Sequence, residues 1–311
     1  MLNPCSKLID GHCHLASLKA TPREFFSGIA SNMASAARAR GNAIPKDAFV
    51  KILESQQDDD DGDQLVQAHR DANIDSSCLL APDFSFAFGK TPTYEAVIAE
   101  HIAVCKRHEG HFRLFAGIDP RWGKSAYLYF ESVVKLGIVS GLKLYPPCGF
   151  SMSDPICFPL YEICGAYNIP VLYHSGPTSP TLSFRYCDAF DIDDASMQFK
   201  NVNFIAAHGA INLWQDHILL AKYRPNIYLD ISGFLGFSTG PCWKEHLSHV
   251  FSCGVNHKII FGTDWPVFRS KGNFASVMQE IFTYRSTNYK VVGQTDSENI
   301  LYKNMEHLLC R

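Results

Sequence analysis

Eight short runs rich in β-branched and aromatic residues recur along the 311-residue chain. They are KLIDGHCH from Lys7, NIDSSCLLAPD from Asn73, HFRLFAGIDP from His111, VSGLKLYPP from Val139, IPVLYHSG from Ile169, NVNFIAAHGA from Asn201, NIYLDISGF from Asn226 and KIIFGTDWP from Lys258. Most of the segments between them carry apolar residues at helical spacing: SAYLYFESVVKLG, FPLYEICGAYN, NLWQDHILLAKY, PCWKEHLSHVFSCG and NFASVMQEIFTYR. TPTYEAVIAEHIAVCKRH opens on Thr91-Pro92, an N-cap and first-turn pair. The connection from Pro177 to Lys200 has the weakest helical signal, and SENILYKNMEHLL closes the chain. Strand and helix alternating at roughly 25–40 residues per unit predict an α/β fold, a single (β/α)8 barrel over residues 1–311 with a C-terminal closing helix.

The first connection breaks the rhythm. About 60 residues separate the first two strands, far more than a βα connection needs. Its last part, DQLVQAHRDAN, reads as the regular helix before strand two. The remainder, residues 15–62, is expected to be a helical insertion on the face where βα loops emerge, placed to serve as a lid, a dimer contact or both. The acid run Asp58–Asp61 within it reads as a solvated loop, because the spacing of an EF-hand calcium loop is missing.

Apolar residues make up 46% of the chain, enough for a large core. A net charge of −3 gives no footprint for nucleic acid or an anionic membrane surface, and no apolar run approaches the ~20 residues of a membrane span. The N-terminus has no charged-then-apolar signal pattern, so a soluble, cytoplasmic protein is expected. The 11 cysteines are odd in number and contain no CxxC pair, which predicts free thiols.

Against this frame, IDGHCHLA places His12 and His14 on alternate positions of a strand, pointing the same way. Cys13 between them faces the other way, and Asp10 is expected to share the histidines' facing, deeper in the strand. His174 ends strand five, His208 ends strand six and Asp264 ends strand eight, while Lys143 lies in strand four. Strand C-termini of such a barrel converge on the face that carries active sites. Imidazoles and a carboxylate there suit zinc first, with manganese or iron as alternatives. Such an ion activates water and polarises a carbonyl, and Asp264 could both bind it and move the proton. The other histidines, such as His69, His101, His108 and His249, fall in predicted helices or loops and read as structural.

The phrasing IDGHCH, GLKLYPP, VLYHSG, AAHGA and FGTDWP resembles the amidohydrolase superfamily, in its amidohydrolase-related, metal-dependent TIM-barrel hydrolase branch. The likeness covers nearly the whole barrel and the closing helix, but not the insertion. It implies that His12, His14, His174 and Asp264 bind metal and that His208 binds a second ion or orients substrate. It also implies that Lys143, if carbamylated, bridges two ions, making it a provisional ligand. The alternatives for Lys143 are an ammonium that binds a substrate carboxylate or a structural ion-pair partner.

The first functional reading is hydrolysis of a small ester, lactone or amide by a metal-activated hydroxide, with Asp264 as proton shuttle. The second reading, which the resemblance permits, is a metal-dependent decarboxylase of an unsaturated or aromatic acid. The third reading is a non-catalytic metal-binding barrel, disfavoured because no cysteine lies at a ligand position. Tyr145, Arg121, Arg185 and Trp265, with Arg269 behind them, are the substrate-contact candidates, since a loop arginine can grip a carboxylate with two prongs. The partner is expected to be a small molecule, and homo-oligomerisation is left open.

Overall fold

The computed structural model describes residues 7–89, 92–234, 242–267, 269 and 293–310. Eight parallel strands lie in sequence order: β1 (Ile9–His14), β2 (Ser76–Ala81), β3 (Phe112–Gly117), β4 (Val139–Leu144), β5 (Val171–His174), β6 (Phe204–Ala207), β7 (Ile227–Asp230) and β8 (Ile259–Ile260). Backbone bonds from Gly11 N–H to the Phe261 carbonyl and from Asp264 N–H to the His12 carbonyl, both 2.8 Å, join β8 to β1. The result is the expected (β/α)8 barrel. No helix among the described residues is long and apolar enough to cross a membrane.

Strand alternation sorts the side chains into two cores. Leu79, Leu114, Leu142, Val171 and Phe204 face out against the helices. Ile9, Cys78, Phe115, Leu172, Ile205, Tyr228 and Ile260 pack inside, closed by Met305 and Leu308 of the C-terminal segment. That segment runs as helix Gln294–Glu298, a π turn Asn299–Lys303 and helix Asn304–Leu309. The apolar plug occupies one end of the barrel and leaves the strand C-termini to polar residues.

β1 departs from simple alternation. Its register with β2 shifts between Asp10 and Cys13, so two residues, Gly11 and His12, stand opposite the single Cys78. Gly11 is required there, because an added Cβ would sit 2.5 Å from Ile260 Cγ2 and 3.0 Å from the Phe261 carbonyl. The shift corrects the expected facing of Asp10. Its carboxylate points away from His12 and His14, accepting from Thr263 N–H (2.9 Å), Thr263 Oγ1 (2.6 Å) and His12 N–H (3.0 Å), with His69 Nε2 at 3.3 Å. Asp10 pins β1 to the segment after β8.

The insertion forms two helices, α1 (Arg23–Ala39) and α2 (Lys46–Ser55), ahead of the regular helix α3 (Asp63–Asp71). The acid run is an exposed loop at Asp58, Asp60 and Asp61, as expected, and Asp59 is the exception. Asp59 is buried and accepts from the Gln64 and Leu65 N–H groups at the start of α3, Asp60 takes the Ser17 hydroxyl, and Asp58 pairs with Arg269. Each acid has its own partner, so they do not converge on a cation.

The 177–200 connection contains short turns at Phe184–Tyr186 and Ala189–Ile192 and the six-residue helix Asp193–Gln198. The helix expected from Thr91-Pro92 opens later, at Tyr94, with the Thr93 hydroxyl accepting from Ala96 N–H. NFASVMQEIFTYR lies outside the described residues. Cys13, Cys78, Cys148, Cys157, Cys164 and Cys187 are buried free thiols.

Candidate active site

At the strand C-termini, β1 presents His12 and His14, β5 presents His174, and the residues just after β6 and β8 present His208 and Asp264. His208 and Asp264 have φ of 61° and 60°, left-handed values uncommon outside glycine. Backbone strain at two strand ends of one face is the kind that accumulates at functional sites.

The side chains converge. His12 Nε2 lies 3.1 Å from His14 Nε2, and Asp264 Oδ1 lies 3.4 and 3.6 Å from those two nitrogens. The His208 ring is 4.9 Å from that of His12 and 5.0 Å from that of His174, centroid to centroid. One ligand atom each from His12, His208 and Asp264 falls within 4.8 Å of the others.

Hydrogen bonding fixes which nitrogens carry protons. His14 Nδ1 faces the Leu80 carbonyl at 3.2 Å and His208 Nδ1 faces the Ser232 carbonyl at 3.0 Å, and a carbonyl only accepts. His12 Nδ1 faces the Asp230 carboxylate at 2.8 Å. Each Nδ1 therefore donates, and in a neutral ring each Nε2 is left as a lone pair. Burial, with neighbouring His12 and Lys143, holds the His14 imidazole well below its ordinary pKa, and burial with His208 and Lys143 does the same for His174. Two lone pairs facing each other at 3.1 Å beside a carboxylate repel unless a cation lies between them. Ligand atoms about 2.1 Å from one ion lie roughly 3.0–3.4 Å apart, close to the separations found here. The buried Nε2 of His174 has no hydrogen-bond partner, which also fits a metal ligand.

Two supporting residues were missed in the sequence, Asp230 and Ser232 in NIYLDISGF. Asp230 is fully buried. Its Oδ2 takes the His12 Nδ1 proton, and its Oδ1 takes the His208 N–H (2.7 Å), the Ser232 N–H (3.0 Å) and the Ser232 hydroxyl. Ser232 Oγ also lies 2.9 Å from His208 Nδ1. One carboxylate and one hydroxyl thus orient two imidazoles, as outer partners of metal-binding histidines do. Burial alone would raise the Asp230 carboxyl, but the His12 imidazole, then His208 and Ser232, hold it well below the usual carboxylate range.

Packing also positions His12. A Cβ on Gly262 would lie 2.8 Å from His12 Cβ and 3.2 Å from Ser232 Cβ. Gly262→Ala is expected to cost about 1–3 kcal/mol of stability through overpacking. It should weaken metal binding with it, read by thermal melting and by metal titration of the same sample.

The remaining candidates divide. Lys143 is buried with its Nζ unpartnered, 5.5 Å from the Tyr145 ring, and burial pulls its ammonium down to about 8 against the pull of Asp230 and Asp264. Tyr145 stacks on His174 at 4.5 Å and 20°, its hydroxyl 2.6 Å from Thr178 Oγ1. Arg121 does not offer an open fork. Its Nε and Nη2 already grip the buried Asp119, and Nη2 also donates to the Cys148 carbonyl. Arg185 lies exposed on the loop after β5. Trp265 is buried, its carbonyl taking the His14 N–H. Arg269 clamps the insertion, donating to the Gln56 carbonyl (2.7 Å), Asp58 and Gln64 Oε1 (2.6 Å).

The amidohydrolase family model matches residues 9–304, a span holding every residue of this cluster. The chain belongs to the amidohydrolase family. No curated protein matches the chain significantly. Solved structures share its fold. An uncharacterised TIM-barrel protein from Bordetella bronchiseptica has TM-score 0.66 at 18% identity, over 97% of this chain and 98% of its own. A probable 2-pyrone-4,6-dicarboxylic acid hydrolase from Acinetobacter baumannii, with citric acid bound, has TM-score 0.63 at 14% identity, over 97% and 99%. A dihydroxybenzoic acid decarboxylase from Polaromonas sp. JS666, with manganese and 2-nitroresorcinol bound, has TM-score 0.62 at 15% identity, over 98% and 97%.

Proposed function

We propose that this amidohydrolase is a metal-dependent enzyme that hydrolyses a small ester, lactone or amide. The observation that carries the reading is the meeting of the His12 and His14 Nε2 lone pairs with the Asp264 carboxylate. His12, His14, His174 and Asp264 would hold a divalent ion, zinc or manganese, and the ion would supply Lewis acidity at a substrate carbonyl. Asp264, the one carboxylate of the set and partly exposed, accepts a proton from the attacking water and returns it to the leaving group. His208, held by Ser232, faces the same space and orients the carbonyl. The insertion reaches towards this face through aromatic contacts. The Phe25 ring of α1 lies 5.2 Å from Phe84, and Phe84 lies 4.9 Å from Tyr145.

A second reading, decarboxylation of an unsaturated or aromatic acid, is favoured by the unpartnered Lys143 ammonium, and the Polaromonas relative is named for such chemistry. Chelator-stripped protein, reloaded with manganese or zinc, separates the two. On a panel of aryl esters, lactones, amides and aromatic acids, the first reading expects hydrolysis that chelation removes and metal restores. Carbon dioxide release from the acids alone would select the second. Full metal loading without turnover of any member would refute both.

A further inference from the structure

The histidines of the cluster are not all aimed in the same way. His12 Nδ1 is held by Asp230, His14 Nδ1 by the Leu80 carbonyl and His208 Nδ1 by the Ser232 carbonyl. His174 is the exception. It is buried, yet among the described residues no hydrogen bond reaches its ring. The last torsion of a histidine side chain is broad, so burial by itself does not set the plane of the ring. A ligand nitrogen needs a set direction, and at His174 packing has to supply it.

Tyr145 makes the contact that can do so. Its ring lies 4.5 Å from that of His174 at 20°, close to parallel, whereas His208 meets His174 edge-on at 5.0 Å. Tyr145 is buried just after β4 and is itself gripped from two sides. Its hydroxyl lies 2.6 Å from Thr178 Oγ1, and the Phe84 ring packs against it at 4.9 Å and 69°. Both grips lead back to one residue of the insertion, Phe25 of α1. The Phe25 ring lies 5.2 Å from Phe84. The Phe25 carbonyl accepts from the hydroxyl of the buried Ser179, the neighbour of Thr178 in the chain. Gly28 stands three residues on, on the same face of α1. A Cβ there would lie 2.9 Å from Thr181 N and 3.0 Å from Ser179 Oγ. Glycine at 28 thus lets α1 seat directly on the loop after β5.

We propose that Tyr145 is the positioning residue for the His174 ligand, and that helix α1 of the insertion braces Tyr145 in that position. The stacked ring takes the place of the outer hydrogen bond that the other histidines have. The Tyr145 hydroxyl is engaged with Thr178, so the part falls to the ring. The insertion is then a fixed support of the metal centre and not a free flap. The inference rests on the reading of this face as a metal site.

Calorimetric titration of manganese into chelator-stripped, full-length protein tests both parts. Tyr145→Leu removes the stacked ring and is expected to weaken binding by about 10–100-fold, the range for loss of an outer partner of a ligand histidine. Tyr145→Phe keeps the ring and is expected to recover most of that loss. Gly28→Ala touches no ligand but forces α1 and the 179–181 loop apart. It is expected to weaken binding by about two- to thirty-fold, the span of coupling through packed side chains. In zinc-loaded protein labelled with 15N-histidine, Gly28→Ala should move the His174 ring resonances and leave those of His14, which Leu80 holds, in place. A general loss of stability would not select one ring. Should Tyr145→Leu fail to fold, Gly28→Ala carries the test. Wild-type affinity in Tyr145→Leu, or an equal loss in Tyr145→Phe, overturns the assignment of Tyr145. Unchanged affinity and unmoved His174 resonances in Gly28→Ala overturn the brace. Either result leaves the hydrolase reading standing. Metal-loaded protein that turns over no substrate would remove that reading and leave this inference intact, and wild-type protein that binds no metal would remove both.

Discussion

Asp264→Asn is expected to lower kcat by about a thousand-fold or more, while the protein keeps a bound ion. Asn matches the size of Asp and retains one oxygen for the metal, but it cannot take up a proton. The backbone is not a confounder. Asp264 has φ of 60°, and Asn tolerates the left-handed region as well as Asp does. The carboxylate is 15% exposed, whereas the Asp230 carboxylate beside the cluster is fully buried, so Asp264 is the acid that substrate and water can reach. Steady-state kinetics and metal content from one preparation check it. Undiminished turnover with metal bound would refute the shuttle.

Asp230→Asn is expected to weaken metal binding by about 10–100-fold, as loss of an outer partner of a ligand histidine does. It should also cost stability, on the order of 3–5 kcal/mol, the range for breaking a buried charged pair. The amide turns two N–H donors towards groups that themselves donate: the His12 Nδ1–H, the Ser232 hydroxyl and two backbone N–H groups. The pH dependence has a definite sign. The Asp230 carboxyl is depressed in the folded state, so its contribution is complete above the unfolded value of about 4. It is lost as the pH falls through the lower folded value. The stability gap between wild type and Asp230→Asn should therefore stay constant from neutral pH down to about 4 and narrow below it. Chemical denaturation at several pH values, paired with metal titration, measures both effects.

The barrel was legible because each strand ends in turn-forming or polar residues after an apolar run, and because ligand-type side chains stand at those ends. His12, His14, His174, His208 and Asp264 could be placed on one face from strand position alone. What could not be read depends on contacts between distant segments. The shift at Gly11 exists because Ile260 and Phe261 close against β1, so the reversal of Asp10 is invisible in a local pattern. Asp59 looked solvated like its exposed neighbours because its partners, the N–H groups at the start of α3, lie outside the run. Asp230 left a weak signal, a single acid ending a strand as Asp264 follows another, with no histidine beside it. Arg121 looked available until the fold closed its fork on Asp119, two residues away.

The central claim is that His12, His14, His174 and Asp264 hold a divalent ion. Anomalous diffraction from crystals of manganese-loaded protein tests it most directly. The account predicts a manganese peak roughly 2.0–2.3 Å from Nε2 of His12, His14 and His174 and from an Asp264 oxygen. It predicts none at the second buried group of ligand-type residues, Asp10, Cys13 and His69, where the Asp10 carboxylate is already bonded to Thr263 and His12. No peak among the four residues, or a peak at Asp10 and Cys13 instead, would contradict it.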